Sequence, residues 1–220
     1  MKFLQLRCCL FIFCFFIMQL SFAKNDSVRI IHSKEIKNQA GWFSLGVRTT
    51  LNTFSKDGFG IGAGGQFRLQ LSNRVNTDWF ADYISVNKNN IARSEYIHIG
   101  WSVLFYPIKK LQYPNYKVQP FILAGHCFDY NKVTIYKEPS VTKNRWGAAI
   151  QMGLGSHFHL SESFDMTLMM QYMMHLTKEL TPEKMEDATY KIIAVKGSAL
   201  EGHLLCTVSL NYKIAKLWKK

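Results

Sequence analysis

From Gly41 onward the chain alternates between apolar and polar residues with a period of two. In the run Phe59 to Leu71, FGIGAGGQFRLQL, the odd positions Phe59, Ile61, Ala63, Phe67, Leu69 and Leu71 are apolar. The even positions are Gly60, Gly62, Gly64, Gln66, Arg68 and Gln70. A helix cannot separate these two sets, whereas a strand puts them on opposite faces. The preceding run behaves alike: Phe43, Leu45, Val47 and Leu51 face one way, and Ser44, Gly46, Arg48, Thr50 and Asn52 the other. Ser55-Lys56-Asp57-Gly58 between them reads as a turn.

The pattern returns in Ile97 to Phe105, Trp146 to Phe158, Phe164 to Met174 and Leu204 to Ile214. Thr77 to Val86 and Val118 to Ile135 are strand-like but less cleanly patterned; Phe80 and Ile84 interrupt the polar face of the first. The spacing predicts about eight strands.

The first residues are of another kind. Lys2 and Arg7 precede the apolar run Cys8 to Leu20, and Ser21-Phe22-Ala23 supplies small residues before a cut after Ala23. Residues 1–23 therefore read as an export signal peptide; the run is short of the ~20 apolar residues a spanning helix needs. Residues 24–40 are polar and unpatterned and read as a tether, 41–214 as the strand domain, and 215–220 as a basic C-terminal tail. Three of the five cysteines leave with the signal. Cys127 and Cys206 remain, too few for a disulfide scaffold in an exported protein, although one bridge between them is conceivable.

Composition narrows the class. The chain has 220 residues, 48% of them hydrophobic and 14% aromatic, which excludes disorder. Its formal charge is +12, and ten of that excess survives loss of Lys2 and Arg7. Export and the lack of a basic-aromatic strip argue against nucleic acid as the partner. The lysines outside the strand cores, among them Lys132, Lys137, Lys143, Lys216, Lys219 and Lys220, suit anionic head groups or lipopolysaccharide phosphates.

Alternation alone leaves open whether the apolar face looks inward, as in a soluble barrel, or outward to lipid. Three features favour lipid. The strands run near or above the ~9–11 residues of a tilted membrane strand. Their polar face carries Gly, Gln, Ser and His with few charges, which suits a crowded lumen better than bulk water. Aromatics gather near strand ends: Trp42, Phe43, Trp79, Phe105, Tyr106, Trp146, Phe158 and Phe164. The competing soluble reading has Gly41-Trp42 in its favour, which echoes the entry of lipocalins. Connections agree with a barrel whose termini share one side. Residues 72–75 and 161–163 are tight on that side, and 87–93, 136–144 and 177–199 are longer on the other. Ser55–Gly58 is short for its side and Lys109–Lys117 long.

With GWFSLGVRTTL, FGIGAGGQFRLQLSNR and VQPFILAG behind an export signal, the chain resembles the small eight-stranded outer-membrane barrels of Gram-negative bacteria, the group that includes the barrel of outer-membrane protein A, OmpW and the opacity-type porin-like proteins. The resemblance spans Gly41 to Ile214. It implies an all-β fold, an eight-stranded antiparallel up-and-down transmembrane β-barrel in the outer membrane. It also implies a monomer delivered by the outer-membrane insertion machinery and surrounded by outer-membrane lipids and lipopolysaccharide. The chain departs from the group at its end, where Tyr212 and Ile214 are followed by Ala-Lys-Leu-Trp-Lys-Lys.

Two candidate sites lie on the polar face. If 72–75 form a turn, Arg68 opposes Asp78, and Arg48 reaches Asp82 across the Gly60–Gly64 run. These charges are expected to pair and plug the lumen, since unpaired charges in a narrow interior are costly; a gated pore would use the same charges. Across the 161–163 turn His159 opposes Asp165, with His157 one inward step away. That set is expected to be lumen packing; its rival readings are an acid–base pair and half of a metal site. Neither a catalytic residue nor a cofactor is assigned. The leading function is a non-enzymatic barrel serving envelope structure, surface-loop interaction or limited small-solute passage. The alternatives are a membrane-embedded lipid-modifying hydrolase and, more weakly, a soluble exported carrier of an apolar ligand.

Overall fold

The computed structural model describes residues 39–55, 58–108, 117–186, 189–195 and 202–218. The signal peptide, residues 24–38 of the tether, most of the 109–117 connection and Lys219 and Lys220 lie outside them. Ten strands follow in order: β1 (Trp42–Ser55), β2 (Gly58–Gln70), β3 (Val75–Lys88), β4 (Ala92–Phe105), β5 (Val118–Ile135), β6 (Thr142–His159), β7 (Phe164–His175), β8 (Glu179–Lys184), β9 (Tyr190–Val195) and β10 (Gly202–Lys216). Eight of them close into an antiparallel barrel in the order β1-β10-β7-β6-β5-β4-β3-β2. The other two, β8 and β9, form a separate hairpin within the connection expected at 177–199.

Closure leaves no strand edge in the wall, because β1 pairs with β2 on one side and with β10 on the other. The row of partners from Gln70 through Asn76, Leu104, Leu123, Gly153, Gln171 and Leu205 returns to β1 at Asn52. Continued one residue past the Phe43–Leu69 pair, the β1–β2 register brings Gln70 level with Trp42, so one circuit climbs ten residues. Such a stagger goes with strands tilted by roughly 35–45°.

The two faces divide as the alternation predicts. Val47 is 66% exposed on the outer wall, and Ile61, Ile99, Ile122, Met152 and Leu154 are exposed with it. Arg48, one residue from Val47, is 3% exposed and points into the lumen, as do Arg68, Asp78 and Asp82. A soluble barrel would show the reverse, so the apolar belt is built to meet lipid.

The lumen holds more than polar groups. Phe80, Ile84 and Val86 of β3 point inward and join Tyr96, Cys127, Ala149, Met173 and Leu205 in a buried apolar layer. A second layer nearer the tight turns comprises Leu104, Tyr106, Phe121, Leu123 and Met169. These bulky groups fit because glycines face them across the ladder: Gly100 opposite Phe80, Gly62 opposite Ile84, Gly60 opposite Val86 and Gly155 opposite Phe121. Small barrels fill their taper by this alternation of small and large. The inward Phe80 and Ile84 are the two residues that interrupt the polar face of this segment in the sequence.

The hairpin caps one mouth. Leu180 and Ile192 pack on Ala92, Val133 and Ile135, with Val141 and Tyr190 beside them. Lys88, at the end of β3, is buried and donates to the Leu180 carbonyl at 3.0 Å and to Glu179 Oε1 at 3.3 Å.

A mid-belt substitution separates the lipid-facing from the soluble reading. Val47→Arg is expected to cost about 2–4 kcal/mol of folding free energy in phospholipid vesicles. An equally exposed site on a soluble protein stays within about 0.5 kcal/mol. Reversible denaturant titration in vesicles measures the difference.

Candidate lumen site

Three polar centres stack along the lumen. The one nearest the tight turns is built on Arg68 of β2. Its Nε donates to Asp78 Oδ1 at 2.6 Å and its Nη2 to Asp78 Oδ2 at 3.1 Å, a two-pronged contact with the residue set opposite it in register. Its Nη1 reaches across the lumen to Asp165 Oδ1 at 2.8 Å. Asn211 Nδ2 donates to the same Asp165 oxygen at 3.2 Å, and Gln66 Nε2 donates to Asn211 Oδ1 at 2.6 Å. One guanidinium therefore ties β2 to β3 and β7, and Asn211 brings in β10 through Asp165 and Gln66.

The second centre lies one layer farther from the tight turns. Arg48 Nε is 3.0 Å from Asp82 Oδ1, and its guanidinium lies over the Phe80 ring, 4.4 Å from the centroid. Gly64 stands between them, opposite Arg48 on one side and Asp82 on the other. A Cβ built on Gly64 would come within 2.2 Å of the Asp82 carboxylate. The missing side chain is what lets charges on β1 and β3 meet over β2.

The third centre lies beneath the hairpin and shares no residue with the two candidate sets of the sequence. Asp129 of β5 is fully buried and gathers His175 Nδ1 at 2.7 Å, Arg145 Nη2 at 3.1 Å and His98 Nε2 at 3.3 Å. His203 lies against His175, with ring centroids 4.8 Å apart, and Tyr96 packs on His98, His175 and His203. Among the described residues no group of three His, Cys, Asp or Glu side chains is placed to hold a metal ion. Asp129 is a hub whose carboxylate lies within 3.3 Å of two imidazoles and a guanidinium.

The His157, His159 and Asp165 set is divided between partners. His159 and Asp165 are register neighbours. Asp165 turns to Arg68 and Asn211, however, while His159 Nε2 is 3.2 Å from Gln119 Oε1. His157 stacks on Phe121 with centroids 4.5 Å apart, and its nitrogens contact Tyr106 at 3.0 Å and Thr167 at 2.8 Å. Ser161, in the turn that follows His159, accepts backbone N–H groups of Ser163 and Phe164 and shapes that turn. No disulfide joins the two thiols: Cys127 is buried in the lumen, and Cys206 stands at an outward position of β10.

A small mouth, open to solvent, lies on the tight-turn side between Gln39, Trp42, Tyr106, His157 and Lys213. It reaches Arg68 and Asp165. Beyond that layer the apolar side chains and the Arg48–Asp82 pair fill the bore, and the hairpin covers the far end.

Arg68→Ala strands two buried carboxylates and is expected to cost about 3–5 kcal/mol. Adding Asp78→Asn and Asp165→Asn to the same chain is expected to restore at least half of the loss. Guanidinium unfolding in detergent, followed by gel mobility of the folded barrel, reads both.

No protein-family model matches the sequence, and no curated protein matches it either. Likeness appears in solved structures. Neisserial surface protein A aligns over 80% of this chain and 98% of its own, with a TM-score of 0.53 and 10% identity. A major outer membrane protein from Thermus thermophilus aligns over 78% of this chain and 99% of its own, with a TM-score of 0.50 and 8% identity. At such identities the likeness concerns the fold alone. The chain has the all-β, closed, eight-stranded antiparallel fold of the small outer-membrane barrels.

Proposed function

We propose that the chain is a non-enzymatic outer-membrane barrel with a plugged lumen. It would serve the envelope as a structural element and present its capped end to the surroundings. Its tight turns and termini would lie on the periplasmic side, with β8, β9 and the longer connections outside. Outer-membrane lipids and lipopolysaccharide would surround it, and the outer-membrane insertion machinery would deliver it. The observation that carries this reading is the pairing of an exposed apolar belt with a bore filled by packed apolar side chains and ion-paired charges. An ~8-stranded barrel has an interior just wide enough for such filling. The closed bore favours a plug over solute passage.

Hydrolysis would need a nucleophile beside a base with room for a substrate. Ser161 is engaged in its own turn, and the Thr167 hydroxyl beside His157 is buried and also met by Arg68, so the arrangement does not favour that alternative.

Two measurements test the proposal. The full exported chain is expected to fractionate with the outer membrane and to shift in gel mobility on boiling. In planar bilayers it is expected to give no stable step of nanosiemens size. A soluble, unshifted protein would overturn the membrane reading, and a persistent large conductance would overturn the plug.

A further inference from the structure

The two edges of the apolar belt differ. On the tight-turn side the outer wall ends in aromatics: Phe43, Phe105, Phe158, Phe164 and Tyr212. On the opposite side, across β3, β4 and β5, it ends in a charged cluster. Ile97 and Ile99 of β4 are exposed to the belt. The next outward residues of that strand toward the edge are Glu95 and Arg93. Glu95 is set between Ser85 of β3 and Lys132 of β5 in the ladder. Tyr83 OH donates to Glu95 Oε1 at 2.7 Å. Arg93 Nε donates to Ser85 Oγ at 3.1 Å and its Nη2 to Tyr83 OH at 3.3 Å, with Glu95 at 3.5 Å. Lys132 Nζ stands 4.0 Å from the other Glu95 oxygen. Tyr130 and Trp146 flank the cluster, their rings 4.9 Å apart.

The side chains of Arg93 and Lys132 are nonetheless 49% and 43% exposed. A guanidinium carries five N–H donors and an ammonium three, more than the Ser85, Tyr83 and Glu95 oxygens take up. One carboxylate against two cations leaves the cluster a net positive charge. Glu95 and Tyr83 hold both cations over one spot of the wall instead of letting them disperse into solvent. An outward-facing residue at the belt edge meets the headgroup layer, where basic side chains attract anionic lipid and aromatic rings settle.

We infer that Arg93 and Lys132, positioned by Glu95 and Tyr83, form a binding site for a headgroup phosphate of a membrane lipid. The lipid's acyl chains would lie along Ile97, Ile99 and Phe128. The inference rests on the membrane reading above and deepens it by naming the partner's chemistry and the residues that take it. The occupant is a lipid in the leaflet on the hairpin side, the outer leaflet in the proposed orientation.

The test titrates the detergent-solubilised full exported chain with bisphosphorylated lipid A, and with the same lipid after removal of its phosphates, and reads bound lipid by native mass spectrometry. Each basic residue near a charged membrane surface contributes on the order of 1 kcal/mol. Arg93→Ala with Lys132→Ala is therefore expected to weaken binding of the phosphorylated lipid about thirtyfold. Lys137→Ala, which removes a charge from the neighbouring connection, is expected to leave binding within twofold. The dephosphorylated lipid is expected to bind the parent chain no better than the phosphorylated one binds the double variant. Equal binding by parent and double variant would overturn the inference, as would an equal loss in Lys137→Ala or indifference to the phosphates. Gel mobility of the same samples before boiling separates the two levels. A folded, heat-modifiable double variant that still binds refutes the site alone, and a parent chain without a heat-modifiable form refutes the barrel beneath it.

Discussion

In hydrocarbon no water is present to satisfy a backbone N–H or C=O, so every such group in the wall must find its partner within the wall. For a chain of strands this demands closure, and most of the architecture follows from it. With eight strands and a stagger of ten residues, the bore is set by backbone geometry before any inward side chain is chosen. The inward residues must then fill a volume they did not define. They do so by placing glycine opposite bulk and by grouping charge into three centres where opposite charges meet. The Arg48–Asp82 contact depends on Gly64 in this sense, since a side chain there would occupy the space the two charges share.

Much of this is legible in the residues, because a period of two is a local signal. The outward and inward faces of β1, β2, β4, β6, β7 and β10 can be assigned without coordinates. The Arg68–Asp78 opposition follows from a single tight turn, whose length sets the register. β3 and β5 are harder for one shared reason: Phe80, Ile84, Phe121 and Leu123 turn inward against glycines of neighbouring strands. That complementarity belongs to pairs of strands and does not show along either one.

The Asp129 centre is illegible on the same ground. It joins residues from β4, β5, β6 and β7, and the connection between β4 and β5 is too long to imply a register. Asp129 also sits in the strand whose alternation is poorest. The third limb of Arg68, toward Asp165, crosses the bore between strands distant in sequence. Nothing short of knowing that the sheet closes brings those two residues together. The hairpin escapes notice because ELTPEK combines a proline with three charged residues and reads as a connection. It becomes a strand only by pairing with Tyr190–Val195.

β5 and β6 each run for 18 residues, well beyond the ~9–11 that cross a bilayer. Their surplus continues past the belt as paired sheet, and β8 and β9 rest on it through Leu180 and Ile192. What this end offers to another molecule is therefore a hydrogen-bonded platform whose shape exists before any encounter. A ligand that docks there has little backbone entropy to overcome, and its discrimination among targets rests on fixed contour more than on adaptive fit.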